Sequence, residues 1–97
     1  MDLPKHAFAR GMAALDAADL RTAKASLDCL EHYSNWRDQA NLLRGAYRLR
    51  LGDPEGGLRE IAKVNFNGPL RPQALLFSGE CLYQQKALSE SLRMFGQ

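Results

Sequence analysis

Cys29 and His32 come nearest, in this 97-residue chain, to residues whose types and spacing could do chemistry. Three positions apart, they would share one face of a helix and offer a thiolate and an imidazole to a metal ion. A closed zinc site needs about four ligands, and no second pair of this kind exists in the sequence. No metal is therefore expected, and the plainer reading is a small buried cysteine beside a surface histidine. No constellation of serine, cysteine or carboxylate groups gathers around His32 or the other histidine, His6, so neither acid–base nor nucleophilic catalysis is indicated. Gly56-Gly57 does not make a phosphate loop, because it falls inside a helical stretch rather than after a strand. The expectation is a non-enzymatic protein without cofactors. Cys29 and Cys81 lie far apart in the chain, and two reduced thiols are expected rather than a disulfide.

A second chemical feature is basic. Arg37, Arg44 and Arg48, at spacings of seven and four, fall on one stripe of a helix, with Arg50 and Arg59 close by. Such a stripe can neutralise phosphates. The net charge of only +2 gives no general attraction to nucleic acid. A solvated face or an internal ion pair is the expected role, and RNA binding is kept as a weaker alternative.

What positions these residues is a period. Gly11, Gly45 and Gly79 lie 34 residues apart, twice in succession, each in the interior of a helical pattern where glycine costs about 1 kcal/mol relative to alanine. Shifting the sequence on itself by 34 aligns Phe8, Leu42 and Leu76 in one apolar column and Leu15, Leu49 and Tyr83 in another. Ala23, Gly57 and Ser91 form a small column, followed by the bulky Leu27, Ile61 and Phe95. A small residue on each of two successive helices is what close crossing requires, and periods of this size belong to stacked helical hairpins.

Caps and breakers divide the chain into about six helices. Pro4 suits the first turn of a helix to about Ala17, and Asp19 caps a second from Leu20 to about His32. A third starts at Ser34 or Asn35 and continues to Leu51. Gly52-Asp53-Pro54 then supplies a stop, a cap and a first-turn proline for a fourth helix to about Val64. Residues 65–69 read as a loop, and Pro72 opens a fifth helix ending near Gln85. Ala87 to Phe95 is expected as a sixth, without a strong cap.

With its period, small crossing residues, Gly52-Asp53 turn and Pro69, the chain resembles the tetratricopeptide repeat (TPR) family over almost its whole length. It departs from the family at Arg10, Arg44 and Ser78, just before each glycine, and at Ala14, Arg48 and Leu82, three residues after. The resemblance implies an all-α, right-handed solenoid of about six antiparallel helices, in units of about residues 4–37, 38–71 and 72–97. It also implies a concave groove that holds a peptide or amphipathic helix of a partner protein. Carried over by position, the lining would be Lys5, Phe8, Met12, Leu15 and Asp16, then Gln39, Leu42, Ala46, Leu49 and Arg50, then Gln73, Leu76, Glu80, Tyr83 and Gln84. Family members that grip a terminal carboxylate do so with basic and amide side chains, where this chain has Phe8, Met12, Leu43, Gln73 and Phe77. That clamp is absent, and the implied groove has an apolar floor with polar edges. The competing reading makes Phe8, Leu42 and Leu76 partly internal contacts between adjacent units.

The third unit stops before it is complete. Solenoid ends need a polar cap, yet Leu88, Leu92 and Phe95 share one face of the last helix. The chain is then either a segment of a longer array or self-associates through its C-terminal helix. Apolar content of 45% and charged content of 25% are those of an ordinary globular domain. No apolar run approaches the roughly 18 residues that cross a bilayer. Lys5, His6, Arg10 and Gly11 interrupt the stretch a signal peptide would need, so a cytoplasmic location is the default expectation.

Overall fold

Two short connections set the architecture. In a computed structural model that describes residues 3–95, α1 (Pro4–Asp16) is joined to α2 (Leu20–Leu30) by residues 17–19. In the same way α3 (Arg37–Arg50) is joined to α4 (Pro54–Ile61) by residues 51–53. Connections this short oblige each packed pair to run antiparallel. The two turns carry the same hydrogen bonds. Asp19 N–H donates to the Ala14 carbonyl at 2.8 Å and Ala18 N–H to that of Leu15 at 3.1 Å. Asp53 N–H likewise donates to the Arg48 carbonyl at 2.9 Å and Gly52 N–H to that of Leu49 at 3.1 Å. Each is a Schellman turn, whose left-handed residue is Ala18 (φ 57°) in the first and Gly52 (φ 83°) in the second. The aspartate that ends the turn also begins the next helix. Asp19 accepts from Thr22 N–H at 3.2 Å, and Asp53 accepts from Gly56 N–H at 2.9 Å.

The glycines then decide how closely the helices approach. A β-carbon on Gly57 would lie 2.8 Å from the Gly45 carbonyl oxygen, and one on Gly45 would lie 2.9 Å from the Gly57 carbonyl oxygen and collide with Ile61. Backbone meets backbone at this crossing, so neither residue tolerates a side chain. At Gly11 a β-carbon would lie 2.7 Å from a Leu43 methyl and 3.1 Å from Ser26 Cβ. Gly11 thus admits α2 on one side and a leucine of α3 on the other.

A 3₁₀ turn (Ser34–Trp36) leads into α3, which packs against α1, α2, α4 and the last helix, α5 (Arg71–Phe95). The core consequently centres on α3. Leu30, Leu42, Leu43, Leu49, Ile61 and Cys81 are its largest fully buried side chains; full burial of each aliphatic one is worth about 1.5–3 kcal/mol. The described chain is all-helical, without strands.

One element departs from the sequence expectation. In place of a fifth helix ending near Gln85 and a sixth from Ala87, a single helix of 25 residues runs from Arg71 to Phe95. Aligning the turns explains why. Where the first two units have Ala18-Asp19 and Gly52-Asp53, this one has Lys86-Ala87. There is neither a glycine for the left-handed position nor a carboxylate to cap a following helix, so i→i−4 hydrogen bonding simply continues. The expected ends of the second and fourth helices also move inward, from about His32 to Leu30 and from about Val64 to Ile61.

Candidate interaction site

The residues expected to line a groove do not form one surface. Leu15, Leu42, Ala46 and Leu49 are buried, Phe8 and Met12 are half-buried, and only the α5 members of the apolar set, Leu76 and Tyr83, are open to solvent. The correction has a simple geometric cause. Residues three before and four after a helical glycine lie on the glycine's own face. In α1 and α3 that face is the seam against α2 and α4. Leu15, Leu42 and Leu49 therefore seal hairpins rather than line a groove, a seam within each unit and not the contact between adjacent units that the competing reading of Leu42 proposed. Among the polar positions, Lys5, Asp16, Arg50 and Gln73 are exposed, and Gln39, Glu80 and Gln84 are half-buried. Arg50 and Glu80 form an ion pair of 3.6 Å that ties α3 to α5.

Two arginines of the stripe, Arg44 and Arg48, are paired with carboxylates of the fold, and Arg37 is exposed. Arg44 donates to Glu31 of α2's C-terminal cap at 2.7 Å, to Glu60 of α4 at 3.3 Å and to Asn41 at 2.9 Å. Arg48 reaches Asp53 at 3.4 Å and Glu60 at 4.0 Å. Arg10, one period before Arg44, donates to Ser26 at 3.2 Å, and Ser26 lies one period before Glu60. The same cross-helix tie thus recurs in both hairpins. Burial opposes the charge on Arg44, but Glu31 and Glu60 outweigh it and hold the guanidinium more firmly protonated. Burial likewise acts to raise the Glu60 carboxyl, and is overcome by Lys63 at 3.2 Å and Arg44, which hold it below its ordinary value. An open cleft of about 450 Å³ beside this network is lined by His32, Tyr33, Arg37, Arg44 and Lys63 among others. Two of its three cations are already spent on Glu31 and Glu60.

Cys29 and His32 meet no third ligand: among the described residues no group of three or more His, Cys, Asp or Glu is placed to hold a metal ion. Cys81 is buried, which pushes its thiol pKa up. No disulfide joins it to Cys29.

What the chain leaves open is the seam face of α5. Leu75, Leu76, Leu82 and Tyr83 are 51, 59, 54 and 75% exposed. They surround Gly79, where an added β-carbon would meet nothing within 4 Å. Gly79 stands in register with Gly11 and Gly45, yet among the described residues nothing is laid across it. Leu75 and Leu82 escape the sequence reading because their columns hold Ala7 with Asn41 and Ala14 with Arg48, which look neither apolar nor alike. Their positions four before and three after Gly79 were the usable signal.

The chain matches no protein-family model, no curated protein and no solved structure. From Lys86 onward every residue of α5 whose exposure is described is exposed, including Leu88 at 52% and Leu92 at 71%. Among the residues whose burial is described the last buried side chain is Cys81, and about 21 Å of helix continues beyond it at 1.5 Å per residue. No described helix is both long and apolar enough to cross a membrane.

Proposed function

We propose that this chain is a non-catalytic protein-interaction module, a right-handed stack of tetratricopeptide-like hairpins that binds an amphipathic helix or apolar peptide of a partner protein. The observation that carries the reading is the uncovered apolar face of α5 around Gly79, formed by Leu75, Leu76, Leu82 and Tyr83. Contiguous apolar surface of this kind is what helix-in-groove recognition uses. The repeat assignment is supported by the matched Schellman turns, aspartate caps and cross-helix arginine ties of the first two hairpins. The site differs from the groove first expected, because the first-helix columns of the two complete hairpins are consumed by their own seams.

The projecting half of α5 favours a second reading, in which the chain is an assembly segment using its exposed end. Nucleic-acid binding loses its main support, since Arg44 and Arg48 are turned onto Glu31, Asp53 and Glu60.

Selection of a displayed helical-peptide library against the wild-type protein, with counter-screening against Leu76→Asp and Tyr83→Asp, tests the first reading. Both side chains are exposed, so both variants are expected to stay folded. Recovered peptides should lose at least tenfold in affinity for each variant, as about 1.4 kcal/mol implies. Peptides that bind wild type and both folded variants equally would remove α5 as the site.

A further inference from the structure

The open seam on α5 has a counterpart in the same helix. In the first hairpin the crossing glycine is followed, 12 and 16 residues on, by Ala23 and Leu27. In the second, Gly45 is followed at the same intervals by Gly57 and Ile61, and these are the residues a β-carbon at Gly45 would meet. After Gly79 the same intervals give Ser91 and Phe95, again one small and one bulky residue. The preceding column continues as well, with Leu88 in register with Leu20 and Pro54. Residues 88–95 therefore carry the composition and spacing of a return helix while standing at the end of a straight one.

We infer that α5 is a two-state element: its last segment, residues 88–95, folds back through residues 85–87 and lies antiparallel across Gly79, covering Leu75, Leu76, Leu82 and Tyr83. The straight form is one end of this equilibrium and the third hairpin is the other. Two opposing features set the balance. Closure withdraws the apolar seam and Leu88 from water. Opening avoids a left-handed Lys86 and an uncapped helix start at Ala87, the two positions where the other turns have Ala18 or Gly52 and then aspartate. Neither form breaks the body of the protein, because among the described residues the buried ones of α5 end at Cys81. The segment is thus a strap for the α5 face, and the inference stands whether or not a partner uses that face.

Nuclear Overhauser contacts in the full chain test it directly. In the straight helix Gly79 and Phe95 are about 24 Å apart along the axis, far beyond the reach of a proton–proton contact. In the hairpin they meet as Gly45 and Ile61 do. The expected result is a cross-peak between the Gly79 α-protons and the Phe95 ring in wild type, severalfold stronger in the double variant Lys86→Gly with Ala87→Asp, which supplies the missing turn and cap. The Gly45–Ile61 contact reports that the rest of the fold is intact in both samples. Absence of the Gly79–Phe95 peak from folded wild type overturns the inference, whatever the variant shows. So does a peak seen only between differently labelled chains in a mixed sample, since the occupant would then be a second copy.

Discussion

Glu60 lies where three cations converge, with Arg44 and Lys63 within 3.3 Å and Arg48 at 4.0 Å. Its carboxyl titrates below its ordinary value when folded. A folded value below the unfolded one contributes stability that is present above the unfolded value and lost as pH falls through the folded one. Asp19, held low by its hydrogen bonds to Thr22, acts in the same window and with the same sign. The wild type is therefore expected to lose stability steeply between about pH 5 and 3, and Glu60→Gln to lose it less steeply. Urea midpoints measured across that range check this, and parallel curves for the two proteins would contradict it. Ala18 invites the opposite intervention. A non-glycine residue in the left-handed region costs roughly 1–2 kcal/mol, part of which glycine returns through the greater freedom of its unfolded chain. Ala18→Gly should stabilise the protein by about 0.5–1 kcal/mol, read as a higher urea midpoint at unchanged slope.

At the scale of elements, the crossing of α3 with α4 is fixed by two glycines that present carbonyl oxygens to each other's missing side chains. Gly57→Ala has no flexible neighbour to displace and must push the helices apart, at a cost of about 1–3 kcal/mol. Gly79→Ala meets open space in the straight helix and gains helix propensity of about 1 kcal/mol. Opposite signs for two in-register glycine-to-alanine changes, measured by chemical denaturation, are the expected outcome. Same-sign destabilisation of similar size would mean that Gly79 is covered most of the time. The helix limits near Pro4, Asp19 and Gly52-Asp53-Pro54 were legible in the sequence because each is written in local chemistry, a ring without an N–H or a side chain that caps. The expected break near Gln85 was not written locally. It came from the period alone, and where the period called for a turn the residues Lys86-Ala87 did not provide one. The groove was misread for a related reason. A column of bulky residues beside a glycine looks the same in sequence whether a helix covers it or not, and only packing tells Leu42 from Leu76.

For the whole molecule, that distinction becomes a statement about where stability resides. Helix α3 touches every other α-helix, whereas the described buried residues of α5 are Ala74, Phe77 and Cys81, all in its first half. Leu42 and Leu76 occupy equivalent positions one period apart, at 0% and 59% exposure. Leu42→Ala should cost about 2–5 kcal/mol, as truncation of a fully buried leucine does. Leu76→Ala should stay within about 0.5 kcal/mol, as exposed substitutions do. Amide exchange should follow the same gradient, slowest in α3 around Leu42, Leu43 and Leu49 and fastest, among helical residues, beyond Lys86. Denaturant titration of the two variants beside native-state exchange of the wild type makes the comparison. Comparable losses at Leu42 and Leu76, together with strong protection beyond Lys86, would mean that the third seam is sealed in solution. The molecule would then rest on three hairpins instead of two and a projecting helix. Under the proposed function the expected asymmetry has a corollary: the apolar face of α5 would be offered to a partner while the two complete hairpins, centred on α3, hold the fold.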